Sequence, residues 1–245
     1  VTTRKVQNPN EKGSKAFIWA ILAVVAIALL VIGIIIYNGK ENRSAAMQEE
    51  MVDVTGLNVE WNQDEDIIHL TGDNNDDANS AELFEDFSCS YCAKLHLATG
   101  DQALEKIKAG EINVDLRPMN ALDQGEEGHS TRALAAELAM FANGDISSAL
   151  TMRNYLFENQ QSAYNKYDND GFADLAADYG AGDQAVQDIR DGKFIDTAKR
   201  MGDNNRKFQE DETGEAWTPR VLVDGKDIED IAGERDNWPQ ELADM

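Results

Sequence analysis

The sequence predicts an α/β domain that carries a large helical insertion and follows one helix of membrane-spanning length. Three observations predict it. A strand, helix and strand follow one another over residues 81–118, the pattern of a βαβ unit with a right-handed crossover. Residues 130–210 then carry helical periodicity, and a strand with a hairpin turn signal returns only at Arg220. Ahead of these, residues 16–37 form an apolar run without a charge.

The apolar run holds 22 residues. At 1.5 Å each they reach about 33 Å, enough to cross a hydrocarbon core. A cleaved signal peptide would have a shorter apolar stretch ending in small residues, whereas this one ends in Ile34, Ile35, Ile36 and Tyr37. Arg4, Lys5, Lys12 and Lys15 precede it against Glu11 alone, so the positive-inside rule puts residues 1–15 in the cytoplasm. The expected order is a short cytoplasmic N-terminus (1–15), a single-pass anchor in the cell membrane (16–37), an extracytoplasmic linker (38–64) and a domain outside the membrane (65–245). A short helix within 45–52 and a weak strand near 57–61 are possible features of the linker.

The formal net charge is −24. The first 37 residues hold four of the 22 Lys and Arg and one of the 46 Asp and Glu, so the rest of the chain carries −27. Phosphates are repelled by such a surface, which argues against nucleic acid as a partner.

Along the domain, residues 66–71 read as a short strand and 72–80 as a solvated Asp/Asn loop. Residues 81–88, with Leu83, Phe84 and Phe87, read as a central strand. A helix starts at residue 89 and continues toward Gly100 or, after a break, Gly110. Ile112, Val114 and Leu116 alternate on one side of a strand at 111–118. Leu134, Leu138 and Phe141 mark a helix stopped by Gly144. Further helices follow around Ile146, Leu150 and Phe157, around Phe172, Leu175 and Tyr179 with Asp170 as N-cap, around Val186 and Ile189, and from Phe194 to Phe208. The helical insertion is expected at about 125–212. Asp224 and Gly225 signal a hairpin between strands at 220–223 and 227–231, and a closing helix starts near Asn237, Trp238 and Pro239.

The two cysteines of the chain, Cys89 and Cys92, stand at the strand-to-helix junction. On a helical first turn this spacing puts both sulfurs on one face. A loop so short constrains little chain, so a structural staple is a poor explanation for it. Exchange chemistry needs a thiolate. With Cys89 as first helical residue, unpaired N–H groups and the helix dipole favour its anion. Cys92, one turn on, is the buried, resolving thiol. A zinc site would need four ligands, and His69, His96 and His129 supply no second matching pair. Haem attachment needs His directly after the second Cys, where Ala93 stands. No metal and no cofactor is expected.

The segment Phe84-x-Asp86-Phe87-x-Cys89-x-x-Cys92, the stretch Gly128-His129-Ser130-Thr131-Arg132-Ala133 and the stretch Trp217-Thr218-Pro219-Arg220-Val221 together resemble the thioredoxin superfamily. The helical insertion makes the chain similar to its DsbA-like branch, and the apolar head to the membrane-anchored, Gram-positive type. The resemblance covers about residues 66–245. It implies a thioredoxin-like fold, a central mixed sheet with flanking helices and an inserted helical subdomain. It implies that Thr218–Pro219 is a cis bond beside Cys89, forming a substrate-binding loop, whereas from the residues alone a trans proline at a strand start serves as well.

Two departures stand out. Ser90 and Tyr91 replace the Pro and His common between the cysteines of relatives. The position six before the first cysteine, where relatives place a buried acid, holds Leu83 beside Glu82. Asp86, three before Cys89, reads as a capping or solvated residue, and His96 as a partly exposed residue near the thiols. Trp217 reads as core or groove wall. Ser90, Tyr91, Asp86 and His96 are the candidate modulators. The function implied is an extracytoplasmic thiol:disulfide oxidoreductase that forms disulfides in unfolded or reduced exported proteins. Its reoxidant would be a quinone-linked membrane partner, DsbB-like or VKOR-like. The alternatives are a membrane-anchored reductase or isomerase, and a non-catalytic binding or chaperone-like module.

Overall fold

The computed structural model describes residues 17–31, 51–73, 75, 78–231 and 235–245. Contacts divide the chain into two units, Val1–Ala46 and Met47–Met245. In the first, residues 17–31 form a helix with exposed side chains. Among the described residues no helix is long and apolar enough to cross a membrane. The other positions of the expected anchor, 16 and 32–37, lie outside the described residues, as do positions 38–50 of the linker and most of the short helix considered at 45–52.

The second unit is built on a six-stranded sheet of order β1-β2-β4-β3-β5-β6. Its strands are β1 (Leu57–Asn62), β2 (Ile67–Gly72), β3 (Asn79–Glu85), β4 (Ile112–Pro118), β5 (Arg220–Val223) and β6 (Lys226–Asp227). β3 and β4 run parallel, with Ala81 opposite Val114 and Leu83 opposite Leu116; the other pairs are antiparallel. The parallel pair is joined by α1 (Ser90–Lys108), as the βαβ pattern requires. Ile112, Val114 and Leu116 of β4 are buried, the side predicted by their alternation.

The linker does not extend to residue 64. Leu57, Val59 and Trp61 alternate along β1 and pack on the core, while the strand pairs with β2 over its full length. Nor does α1 break at Gly100. It runs on to Lys108, and a Cβ at Gly100 would come within 3.2 Å of the His96 ring. One absent methyl therefore leaves room for that imidazole, at the ordinary helix-propensity cost of a glycine.

The insertion comprises α2 (His129–Ala142), α3 (Ile146–Glu158), α4 (Gln160–Ala163), α5 (Asn169–Asp178), α6 (Asp183–Arg190) and α7 (Ile195–Thr213). α2 is its hub, touching α3, α5, α6 and α7. Ala133, Ala135, Ala136 and Ala139 are all buried on it, small enough for neighbouring backbones to approach. The N-cap of α5 is Asp168, whose carboxylate accepts the Gly171 N–H at 2.9 Å; Asp170, the expected cap, sits in the first turn.

At the hairpin, Asp224 and Gly225 both have positive φ (50° and 72°), the geometry that tight hairpin turns demand. The partner strand is shorter than the expected 227–231. β6 ends at Asp227 and a single helical turn, α8 (Ile228–Ile231), follows, burying Ile228. The closing helix α9 (Trp238–Ala243) carries Pro in its first turn. Asn237 precedes it without a side-chain cap bond, its amide bonding Glu241 instead. Trp238, 1% exposed, donates its indole N–H to Thr99 of α1 at 3.1 Å.

Gly72 ends β2 against the C-terminus of α1, where a Cβ would fall 1.9 Å from the Ile107 carbonyl oxygen and 2.9 Å from the Gly110 nitrogen. Neither backbone atom can yield cheaply. Gly72→Ala should therefore destabilise the domain by about 1–3 kcal/mol, the usual range for overpacking. A drop in the urea midpoint at unchanged slope checks this.

Candidate active site

β3 ends at Glu85, and Asp86, Phe87 and Ser88 turn the chain into α1. Cys89 is the N-cap of that helix, one position before the first helical residue, with extended backbone (φ −82°, ψ 114°). No full side-chain cap bond forms, yet the N–H groups of Tyr91 and Cys92 aim at the sulfur and favour its anion. Both cysteines are free thiols and both are buried, Cys89 at 8% and Cys92 at 1% exposure. The Cys89 sulfur lies 3.3 Å from the Thr218 carbonyl oxygen, a hydrogen bond it donates in its protonated form. The Thr218–Pro219 bond is cis. Cys89, Cys92, Thr218 and Pro219 are thus one cluster, as the sequence led us to expect.

The two sulfurs have opposite acidities. A hydrogen bond from the Cys92 thiol is the largest influence lowering Cys89, to about 5; the Thr218 side chain adds to it, and burial opposes. Cys92 is pushed far up, first by burial, then by its hydrogen bond to Cys89 and by the negative charges of Cys89 and Glu85. At neutral pH Cys89 is a thiolate and Cys92 a protonated thiol.

Asp86 is neither solvated nor a simple cap. It is 1% exposed, and its carboxylate accepts the Ser88 N–H at 2.8 Å, the Ser130 hydroxyl at 2.5 Å and the Leu122 N–H at 3.2 Å. Its backbone N–H donates to the Cys92 sulfur at 3.4 Å. Burial raises this carboxyl to about 6, against those hydrogen bonds. The network fastens the strand-to-helix turn to the insertion at Ser130, whose own N–H and that of Thr131 are held by Asp123. Phe87 stacks on Phe157 at 5.0 Å, and Gln160 donates to the Phe87 carbonyl at 2.8 Å.

Directly beneath the cysteines lies an acid that sequence reasoning missed. Leu83 stands at the relatives' acidic position, but Glu85, two residues on, projects from the same side of β3. Period-two parity was the signal. Glu85 is buried and ion-paired with Arg153, which also bonds Glu137 at 3.0 Å. Burial is the main cause raising Glu85, to about 7, with the Arg153 charge opposing. Arg220 was missed too. Its guanidinium grips Asp227 through two 2.6 Å bonds, donates to Thr213 at 2.6 Å and stacks on Trp217 at 3.6 Å. With the Trp217 N–H bonded to Gln209 at 2.6 Å, this fixes the loop that carries Thr218.

The remaining candidates divide. Ser90 is exposed at the first helical position, and Tyr91 is 64% exposed with the Lys94 ammonium 4.8 Å over its ring. Trp217 is 37% exposed and borders the cleft. His96 is half-buried, as expected, with its ring against Phe157 at 5.0 Å and a hydrogen bond to Asn154; burial lowers it to about 4. His69 is occupied by Asp115 at 2.6 Å, on another part of the sheet. Among the described residues no group of three or more His, Cys, Asp or Glu is arranged to hold a metal.

Comparison with known proteins agrees with this geometry. No curated protein matches the chain. The thioredoxin family model matches residues 69–237. Among solved structures, the MdbA protein of Corynebacterium diphtheriae, a thiol-disulfide oxidoreductase, is 31% identical at a TM-score of 0.74, covering 80% of this chain and 98% of its own. The MdbA protein of Corynebacterium matruchotii, likewise a thiol-disulfide oxidoreductase, is 30% identical at 0.71, covering 84% and 98%. BdbD of Bacillus subtilis shares the fold at 17% identity and a TM-score of 0.50, covering 78% and 96%. With its βαβ unit, its CxxC at the helix start and its cis-proline loop, this chain belongs to the thioredoxin family.

Proposed function

We propose that this protein is a thiol-disulfide oxidoreductase anchored outside the cell membrane, and that it passes the Cys89–Cys92 disulfide to reduced, unfolded exported proteins. The observation that carries the reading is the asymmetry of the two sulfurs, an acidic Cys89 at the helix tip beside the cis Thr218–Pro219 bond and a deeper Cys92 that resists ionisation. A substrate thiolate attacks the Cys89 sulfur of the disulfide. The Cys89–Cys92 bond breaks, Cys92 leaves and takes a proton, and a mixed disulfide joins Cys89 to the substrate. A second substrate thiolate then attacks its own sulfur, releasing Cys89 as a thiolate. The two electrons stay on the protein as the reduced pair until a quinone-linked membrane partner, DsbB-like or VKOR-like, removes them.

Linkage supports the oxidising direction. A thiolate stabilised at Cys89 stabilises the reduced fold and has no counterpart in the disulfide form, so the disulfide is the less stable partner and is readily given away. The apolar run at 16–37, preceded by Arg4, Lys5, Lys12 and Lys15, supports a tethered domain on the outer side. Ser90 and Tyr91, both exposed, put no charged side chain between the two cysteines. The relatives from Corynebacterium, described as thiol-disulfide oxidoreductases, support the reaction class.

Thiolate absorbance of the reduced protein should titrate with a midpoint of about 5. Thr218→Val should raise that midpoint by about 1 unit, the scale of one hydrogen bond to a charged group. Because the folded value lies below the ordinary thiol value of 9.0, the extra stability of the reduced form is complete above pH 9. It is lost as pH falls toward 5. Denaturation of reduced against oxidised protein from pH 5 to 9 should show the gap widening with pH. Cys92→Ala should accumulate mixed disulfides with exported proteins, visible on non-reducing gels, while Cys89→Ala accumulates none. Absence of adducts, together with failure of the parent protein to oxidise a reduced peptide, would overturn the reading.

A further inference from the structure

Beneath α1 lie two adjoining cavities. The inner one, of about 40 Å³, is lined by Cys92, Pro219 and Thr99 among others. The outer one, of about 80 Å³, reaches Asp101, Val52 and Asn154. They share Leu83, Glu85, His96, Gly100, Ala103 and Trp238. Each exceeds the space one water needs, and the polar groups at the junction are the partners that buried water requires. Asp101, exposed at the mouth, lies twelve residues along α1 from Cys89, about 18 Å at the helical rise.

This second opening matters because of a proton. When a thiolate attacks Cys89, the departing Cys92 sulfur is held by burial to the protonated form and must collect a proton at once. The Cys89 side is then covered by the group just bonded there. Two titratable side chains stand where the cavities meet, Glu85 and His96. Glu85 is tied to Arg153 within the sheet-facing wall, so its carboxyl needs a path to solvent of its own. His96 stands one helical turn after Cys92 and borders both spaces, with Gly100 leaving its ring uncovered.

We propose that His96 relays protons between bulk water and the Cys92–Glu85 pair through this rear cavity, so that proton exchange proceeds while the Cys89 face is occupied. A neutral imidazole accepts at one nitrogen and releases from the other, and a flip of the ring, after which Asn154 bonds it again, restores the starting tautomer. Its low basicity suits it to passing a proton rather than keeping one. In the step itself the incoming thiolate forms an S–S bond to Cys89, the Cys89–Cys92 bond breaks, and Cys92 receives a proton that water replaces through His96. Reoxidation runs the same path outward.

The inference rests on the proposed exchange chemistry at this pair, but its test does not need a protein substrate. Dithiothreitol reduces the Cys89–Cys92 disulfide of the full chain whatever its partner in the cell, and stopped-flow fluorescence follows the step. His96→Phe keeps a ring against Phe157 and His96→Gln keeps an amide for Asn154; neither relays a proton. Both should reduce about tenfold more slowly than the parent, with a larger slowing in deuterium oxide. The Cys89 titration midpoint and the equilibrium constant with glutathione should be unchanged. In His96→Ala, added imidazole should restore the rate. Variants that keep the parent rate and isotope effect, or a His96→Ala rate indifferent to imidazole, would overturn the relay. A parent chain that oxidises no peptide yet shows the His96 effect would sink the proposed substrate class alone.

Discussion

One hydrogen bond, from the Cys92 thiol to the Cys89 sulfur, governs the chemistry of this molecule, because it makes one sulfur an anion by making the other a donor. Both ends need a scaffold. Cys89 must stand at the helix tip, where Tyr91 and Cys92 present their N–H groups, and Cys92 must be dry enough to keep its proton. The turn from β3 into α1 meets both demands. Asp86 holds it from below through Ser88, Ser130 and Leu122, and the Asp86 N–H reaches the Cys92 sulfur itself. A carboxylate that binds three donors is costly to bury alone and inexpensive once all are engaged.

The insertion is therefore part of the site. Ser130 lies in the first turn of α2, Gln160 opens α4 and Phe157 lies in the last turn of α3, and all three touch the turn. Arg153, from the same α3, sits between Glu85 and Glu137 and keeps two buried carboxylates tolerable beside a thiolate. A buried ion group of this kind is weak as a source of stability. Here it sets the charge around Cys92, since Glu85 is among the groups that hold that thiol protonated.

Much of this was legible in the chain. The alternation of Ile112, Val114 and Leu116 gave a strand because one face of β4 is dry, and Leu134, Leu138 and Phe141 gave a helix for the same reason at a different period. The cysteine pair and Thr218–Pro219 were legible through their motifs. What stayed hidden depends on three-dimensional closure. Asp86 reads as polar in any one-dimensional pattern, and only the approach of Ser130, 44 residues on, buries it. Glu85 meets Arg153 across 68 residues, and Arg220 finds Thr213 and Asp227 on either side of its own strand. The shift of the α5 cap from Asp170 to Asp168 has a smaller cause. Both are aspartates in a polar run, and backbone direction alone decides which oxygen meets the Gly171 N–H.

Arg220 also bears on how the molecule selects what it meets. It is 4% exposed, clamped to Asp227 and stacked against Trp217, so the loop that brings Thr218 to Cys89 is held from behind. With Arg220 holding the loop on that side, a peptide that reaches Cys89 meets a wall braced from behind. A chain that has already settled into its final shape can seldom bend a cysteine into so narrow a slot; a slack one can.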